Sequence, residues 1–242
     1  VQYRPPFLFL VRFSLYTAQC KGVLESIQDM SGSSERTCSH LVAFLRAGTS
    51  LENEASVLSR KTGRLIIAAK IGSTVLDLTS KLTDDADVEF LTFDSEIGRE
   101  VYRHTAAHIM AHAVKRLYPD AKLGIGPPIA EGFYYDFDLR EKLTDEDLPK
   151  IEKEMQKIVD EDIPLERLEM PKREALDLFS RIGEKYKIEL LEDIEDQTVT
   201  VYRQGDFVDL CRGPHLPRTG LVSAFKLTGL AGAYWRGEES NP

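Results

Sequence analysis

The segment Arg103-His-Thr-Ala-Ala-His-Ile-Met-Ala-His-Ala-Val114 constrains the fold of this chain more than any other. Ala106, Ala107, Ile109, Met110, Ala113, Val114 and Leu117 lie on nearly every side of a helix, so that helix is expected to be largely buried. His104, His108 and His112 recur at successive i,i+4 positions and form one row. Buried imidazoles need partners. Far downstream, Asp209-Leu-Cys-Arg-Gly-Pro-His215 supplies a second pair of chemical groups, C-x-x-x-H to answer H-x-x-x-H. A fold for this sequence has to bring the two pairs together.

The rest of the chain frames that demand. Ser95 is a plausible N-cap with an acidic first turn behind it, and Pro119 stops the helix after Tyr118. Upstream, Ala55 to Arg64 suits a helix and Arg64 to Lys70 a helix end or strand. Gly72-Ser73 marks a turn, and Thr74 to Leu78 and Val88 to Phe93 alternate like half-buried strands. This small β-rich stretch offers no catalytic group of its own. Downstream, a Gly/Pro loop from Gly124 leads into an aromatic strand through Asp138, in which Phe133, Tyr134 and Tyr135 alternate faces. Helices are predicted from Thr144 to about Glu161 and from Lys172 to Ile182, the latter closed by Gly183. Tyr186 to Leu191, Thr198 to Tyr202 and Asp206 to Leu210 read as strands, the last delivering Cys211. Phe225 to Gly237 reads as a Gly-rich strand.

Charge and cysteine usage exclude some functions. A net charge of −9, from 31 Lys+Arg against 40 Asp+Glu, argues against a protein that coats nucleic acid by bulk electrostatics, although a locally basic groove is allowed. Cys20, Cys38 and Cys211 are too few and scattered for a disulfide framework, which points to a reducing compartment. No apolar run reaches the roughly 20 residues of a membrane span, and Arg12 interrupts the most apolar stretch. The chain begins at Val1, which reads as an incomplete start.

Two chemistries suit the paired motifs. H-x-x-x-H places two imidazoles about one turn apart, and a C-x-x-x-H loop brings a thiol to an imidazole. By spacing alone that is a zinc signature. The same groups, joined by a buried lysine and oriented by Asp209, would also serve as proton carriers around a water, which is what ester hydrolysis requires.

His104-Thr-Ala-Ala-His108, Gly124-Ile-Gly-Pro-Pro with Gly132-Phe-Tyr-Tyr-Asp136, Tyr186-Lys187, Asp209-Leu-Cys-Arg-Gly-Pro-His215 and Ala231-Gly-Ala-Tyr-Trp-Arg-Gly237 occur in this order. Together they resemble the N-terminal region of threonyl-tRNA synthetase of bacterial type, from about residue 55 to the end. The resemblance implies an α+β fold in which a partial ubiquitin-like β-grasp (TGS) module precedes an editing domain with an antiparallel sheet and a buried, histidine-bearing helix. It divides the chain into an unassigned, poorly ordered leader at 1–54 and the partial TGS module at 55–96. The editing domain follows at 97–228, and 229–242 starts a linker to an aminoacylation core. That core, its ATP site and an anticodon-binding domain are not in this sequence. A piece of a synthetase is therefore the expectation, ahead of a free-standing factor.

What the resemblance implies for function is proofreading, the hydrolysis of serine wrongly esterified to the threonine tRNA, in the cytoplasm. His104, His108, Lys187, Asp209, Cys211 and His215 match the family's site residues, and Tyr135 a tyrosine lining the site. His104 and Lys187 would handle the water and its proton, and Cys211 and His215 would lie near the ester and terminal ribose. Asp209 would hold a neighbouring cation or recognise the seryl amine. The partner implied is the threonine tRNA mischarged with serine, with no membrane. The whole synthetase would be a homodimer and this chain a monomer. No cofactor is implied. Related alanyl-type editing domains hold zinc with the same pairs and a Cys-Gly-Gly-Thr-His loop, so a zinc-dependent deacylase with zinc at His104, His108, Cys211 and His215 is one alternative, and a catalytically silent tRNA-binding module built around the ubiquitin-like segment is another; the Cys-Arg-Gly-Pro-His loop and Lys187 favour the metal-free threonyl type. His112 is expected either to pack or to support the site residues from behind, and Cys20 and Cys38 fall outside the resemblance.

Overall fold

A computed structural model describes residues 7–13, 41–129 and 131–233. It is an α+β fold with antiparallel strand pairing throughout the described sheets.

The first sheet contains β2 (Leu41–Leu45), β3 (Ile66–Ile71), β4 (Thr74–Leu76) and β5 (Ala86–Thr92), in the order β2-β5-β3-β4. Helix α1 (Leu51–Thr62) packs on it; Ser50 caps the helix by accepting from the Asn53 amide, and Gly63 ends it at φ 66°. Leu51, Ala55, Ile66, Ala69 and Phe90 form the core between them. Ile67, Ala68 and Leu91 join the main core instead, which ties the small sheet to the next helix.

That helix, α2 (Glu96–Leu117), is capped by Ser95 through the Gly98 amide and ends just before Pro119, as its sequence predicts. Gly98 is needed at its start, because a Cβ there would lie 2.0 Å from the Thr92 carbonyl oxygen. From Val101 to Val114 nearly every residue is buried. α2 crosses α3 (Leu148–Asp160), whose Ile151, Met155 and Ile158 face the same core. The aromatic segment is broken into β8 (Gly132–Phe133) and β9 (Asp136–Leu139), with Tyr135 buried between them. β9 belongs to a sheet of order β13-β1-β9-β6, with β1 at Phe7–Phe13, β6 at Lys122–Leu123 and β13 at Leu227–Ala233. β7 (Pro128–Ile129) pairs with β8.

A third sheet, β10 (Leu165–Pro171), β11 (Thr198–Gln204) and β12 (Phe207–Leu210), carries α4 (Lys172–Ile182) and α5 (Lys185–Asp193). α4 ends at Gly183, φ 73°, as expected. Residues 186–191, expected as a strand, are instead the body of α5. Tyr186-Lys-Ile-Glu-Leu-Leu alternates over too few residues to separate a period of two from a helical turn, and α5 buries Tyr186, Lys187 and Leu191 on one side.

Two stretches of the expected leader are elements of this fold: Phe7–Phe13 runs between β9 and β13, and residues 41–54 hold β2 and the start of α1. The loop expected at Ser31 to Thr37, Cys20, Cys38 and the end of the Gly-rich strand, with Trp235, lie outside the described residues. No helix among the described residues is long and apolar enough to cross a membrane.

Candidate active site

The two motif pairs meet. α2 supplies His104 and His108, whose rings stand edge to face with centroids 5.3 Å apart. β12 pairs in register with β11, setting Asp209 opposite Tyr202, and the ladder continues as the Cys211 amide donates to the Thr200 carbonyl at 3.2 Å. The chain then leaves the sheet through Gly213, at φ 72°, and drops His215 between the two α2 imidazoles, at ring centroid distances of 4.1 Å and 4.1 Å. Ligand atoms of His104, His108, Cys211 and His215 all lie within 4.8 Å of one another.

Hydrogen bonding sets the tautomers. The Thr105 hydroxyl donates to the Val101 carbonyl at 2.9 Å, so at its 3.4 Å contact with His215 Nδ1 it accepts the ring proton. His215 Nε2 therefore turns a lone pair towards Cys211 Sγ, 3.3 Å away. His104 Nε2 lies 3.2 Å from the same sulfur, and its ring is also bonded to the Pro214 backbone. One thiol proton cannot serve two acceptors at once, so one imidazole lone pair is left for a water or substrate proton.

Beside this group lies a charged one. Lys187 projects from α5 with its side chain 2% exposed and its Nζ 2.6 Å from Asp209 Oδ1. It also donates to the Tyr135 hydroxyl at 3.1 Å, and that hydroxyl in turn donates to Asp209 Oδ2. His108 Nε2 lies 3.5 Å from Asp209 Oδ2, which joins the two groups. Gly126 makes room for the Tyr135 ring, since a Cβ there would come within 2.1 Å of it. All seven residues expected from the sequence thus converge in one buried site.

Burial governs the protonation states. It lowers His104 to about 4 and His108 to about 3, against the pull of Asp209 in both, and holds His215 well below its ordinary value. It also pushes the Cys211 thiol up to about 12. Burial opposes ionisation of Asp209 too, but the Lys187 ammonium, His108 and the hydrogen bonds from Lys187 and Tyr135 together outweigh it and keep the carboxyl below its usual range. At neutral pH the site therefore holds neutral imidazoles, a thiol and one buried ion pair.

The donor set also fits a soft metal. One thiol and three imidazoles are a zinc-type complement, and His108 Nδ1 is buried without a hydrogen-bond partner while its Nε2 faces Asp209, the usual carboxylate support of a metal-bound histidine. Against it stands the Lys187 ammonium, a fixed positive charge beside the same cluster.

His112 bonds elsewhere. It is held by Gln204 at 2.8 Å, Asp206 at 2.9 Å and Arg116 at 3.1 Å, and stacks on Phe207. Three contributors escape a reading of the sequence: Thr105, Tyr202 and Asp77. Asp77 accepts from the His215 amide at 2.8 Å and from the Tyr202 hydroxyl at 2.7 Å. Burial pushes its carboxyl up, partly offset by those two donors and Arg167. Nothing in an alternating strand marks such a residue.

Residues 199–242 match the family described as the threonyl and alanyl tRNA synthetase second additional domain. The chain is 51% identical to the threonine-tRNA ligase of Acetivibrio thermocellus over 195 residues, 80% of this chain and 31% of that ligase. It is 51% identical to that of Clostridioides difficile over 193 residues, 79% of this chain and 30% of the ligase. With the ligase of Clostridium tetani the identity is 54% over 176 residues, 72% of this chain and 28% of the ligase. The chain thus spans less than a third of the length of each of these relatives.

Proposed function

This chain belongs with the threonine-tRNA ligases, and from that premise we propose that its buried cluster is a proofreading site that hydrolyses serine from mischarged threonine tRNA. The observation that carries this reading is the junction of two groups: neutral His104, His215 and Cys211 on one side, and the Lys187–Asp209–Tyr135 ion pair on the other, bridged by His108.

The chemical need is plain. Threonine and serine differ by a methyl group, worth only about 1 to 3 kcal/mol in a binding pocket, so a second pocket that cleaves the smaller ester supplies the missing discrimination. In this mechanism His104 Nε2 takes a proton from the attacking water while oxygen bonds to the ester carbonyl carbon. The Lys187 ammonium stabilises the resulting oxyanion, fixed in place by Asp209 and Tyr135. The carbon–oxygen bond to the ribose then breaks, the ribose oxygen takes up the proton, and serine leaves as the acid. Cys211 and His215 sit beside this path and hold the ester and ribose. Lys187 is the neighbouring cation that Asp209 holds. The tRNA is the partner, and the setting is cytoplasmic.

The test is direct. Incubation of the chain with seryl-tRNA, followed by measurement of released serine, is expected to show hydrolysis above the spontaneous rate. A well-folded sample that gives no such excess sinks the proposal.

One observation favours a second reading, an aminoacyl-tRNA deacylase of the zinc-dependent alanyl type. Four donor atoms lie within 4.8 Å and His108 Nδ1 has no partner. His104, His108, Cys211 and His215 would hold the ion, and zinc would supply Lewis-acid activation of water when bound. Metal analysis separates the readings: stoichiometric zinc that is lost on Cys211→Ala would replace the metal-free site with this one.

A further inference from the structure

Asp77 immediately follows β4 of the first sheet, yet both of its carboxylate oxygens bond to residues of the site segment and its neighbouring strand. Oδ1 accepts the backbone N–H of His215 at 2.8 Å, and Oδ2 accepts the Tyr202 hydroxyl at 2.7 Å, with Arg167 at 3.9 Å as a weaker neighbour. Asp77 is 5% exposed. Tyr202 in turn stands edge-on to the His215 imidazole, centroids 4.4 Å apart, and its hydroxyl lies against Gly213 so closely that a Cβ there would come within 2.0 Å. Beyond the Cys211 amide, which still bonds to the Thr200 carbonyl, the segment to His215 lies outside the strands. It is gripped by one carboxylate and the tyrosine that carboxylate orients.

We propose that Asp77 is a positioning residue for the hydrolysis, so that the small β-sheet module completes the active site instead of merely preceding it. The proposal rests on the function proposed above. Its physical basis is that removing the carboxylate strands two buried donors, the His215 amide and the Tyr202 hydroxyl. The loop then relieves them by moving outward to water, and the 3.2 Å and 3.3 Å contacts that aim Cys211 at His104 and His215 open. Asp77 itself touches neither water nor ester.

The test uses the full chain with Cys20→Ser and Cys38→Ser, so that Cys211 is the only thiol. In this background, iodoacetamide alkylation of Cys211 reports the position of the loop without any substrate, and seryl-tRNA deacylation reports its consequence. Asp77→Ala is expected to speed alkylation about tenfold as the thiol becomes accessible. It is also expected to lower kcat about a hundredfold with KM within about twofold, the signature of a misplaced reacting group. Asp77→Asn keeps a carbonyl oxygen for the His215 amide and is expected to recover most of both changes. A folded Asp77→Ala protein with alkylation and kcat both within about twofold of the parent overturns the proposal. If Asp77→Ala does not fold, Tyr202→Phe decides: it breaks one arm of the grip, and an alkylation rate raised about threefold supports the proposal while an unchanged rate overturns it. Should the parent chain hydrolyse nothing, the function proposed above fails, and the alkylation series still decides whether Asp77 holds the loop.

Discussion

His104 and His108 on α2 have the same residue type, spacing and buried helix as His112, yet the three have opposite fates. The first two face the end of β12, where Asp209, Cys211 and His215 gather. His112 faces the start of that strand, where Phe207 stacks on its ring and Gln204 and Asp206 take its nitrogens. An imidazole row therefore does not make a site. What differs is whether the facing element satisfies each ring nitrogen, as it does for His112, or leaves lone pairs turned towards a thiol, as it does for His104 and His215.

The largest effect should come from breaking the reactive end. If His104 accepts the water proton, His104→Ala is expected to lower the deacylation rate by about 10²- to 10⁴-fold, the usual contribution of a positioned general base. Thermal unfolding should change far less. Steady-state deacylation at saturating seryl-tRNA checks this, and a loss below about fivefold would remove His104 from the proton path.

Next in size is the fully buried ion pair at this end, Lys187 with Asp209. Lys187→Met leaves the Asp209 charge buried beside neutral rings. Breaking one partner of a buried pair costs about 3 to 5 kcal/mol, so chemical denaturation should show a loss of that order together with loss of turnover. Lys187→Met/Asp209→Leu, which removes both charges, should regain much of the stability and none of the activity. A double variant as unstable as the single one would mean that the pair is not the source of the cost.

Protonation sharpens the contrast. Because burial holds His104 at about 4, its lone pair is available throughout the neutral range. The kcat/KM profile is expected to be flat down to about pH 5.5 and to fall only as pH approaches 4, where an ordinary imidazole base would lose activity through 6.5. An inflection near 6.5 would assign the proton to another group. Stability follows the same sign: a histidine whose folded pKa is lowered binds fewer protons folded than unfolded. The stability it protects is therefore present above about 6.5 and lost as pH falls from there towards 4. His104→Gln should flatten that acid loss.

Much of this arrangement is legible in the sequence. The Ser95 cap and Pro119 stop bound α2 correctly, Gly183 closes α4, and seven residues from four separate segments meet where the ordered motifs required. What stayed hidden has a common cause. Residues 186–191 are helical because Lys187 must reach Asp209 from α5, a tertiary demand that a six-residue alternation cannot register. Asp77 looks like the solvent side of a strand, because alternation reports which face a residue is on and not what lies across that face. β1 pairs with β9 and β13 through register set by partners distant in sequence, so Phe7–Phe13 shows only as an apolar patch.

The smallest expected effect lies at the quiet end of the row, and it is the one that tests the comparison itself. His112→Gln keeps a side chain able to bond Gln204 or Asp206 but loses the ring stacked on Phe207, whose centroid distance is 5.3 Å. An aromatic contact of this kind contributes about 0.5 to 1.5 kcal/mol, so unfolding should shift by that order. Deacylation should stay within about twofold of the parent, because no path of hydrogen bonds among those described links His112 to Cys211 or Lys187. A large kinetic loss at unchanged stability would mean that the histidine row acts as one relay along α2, and the division drawn between its two ends would have to be abandoned.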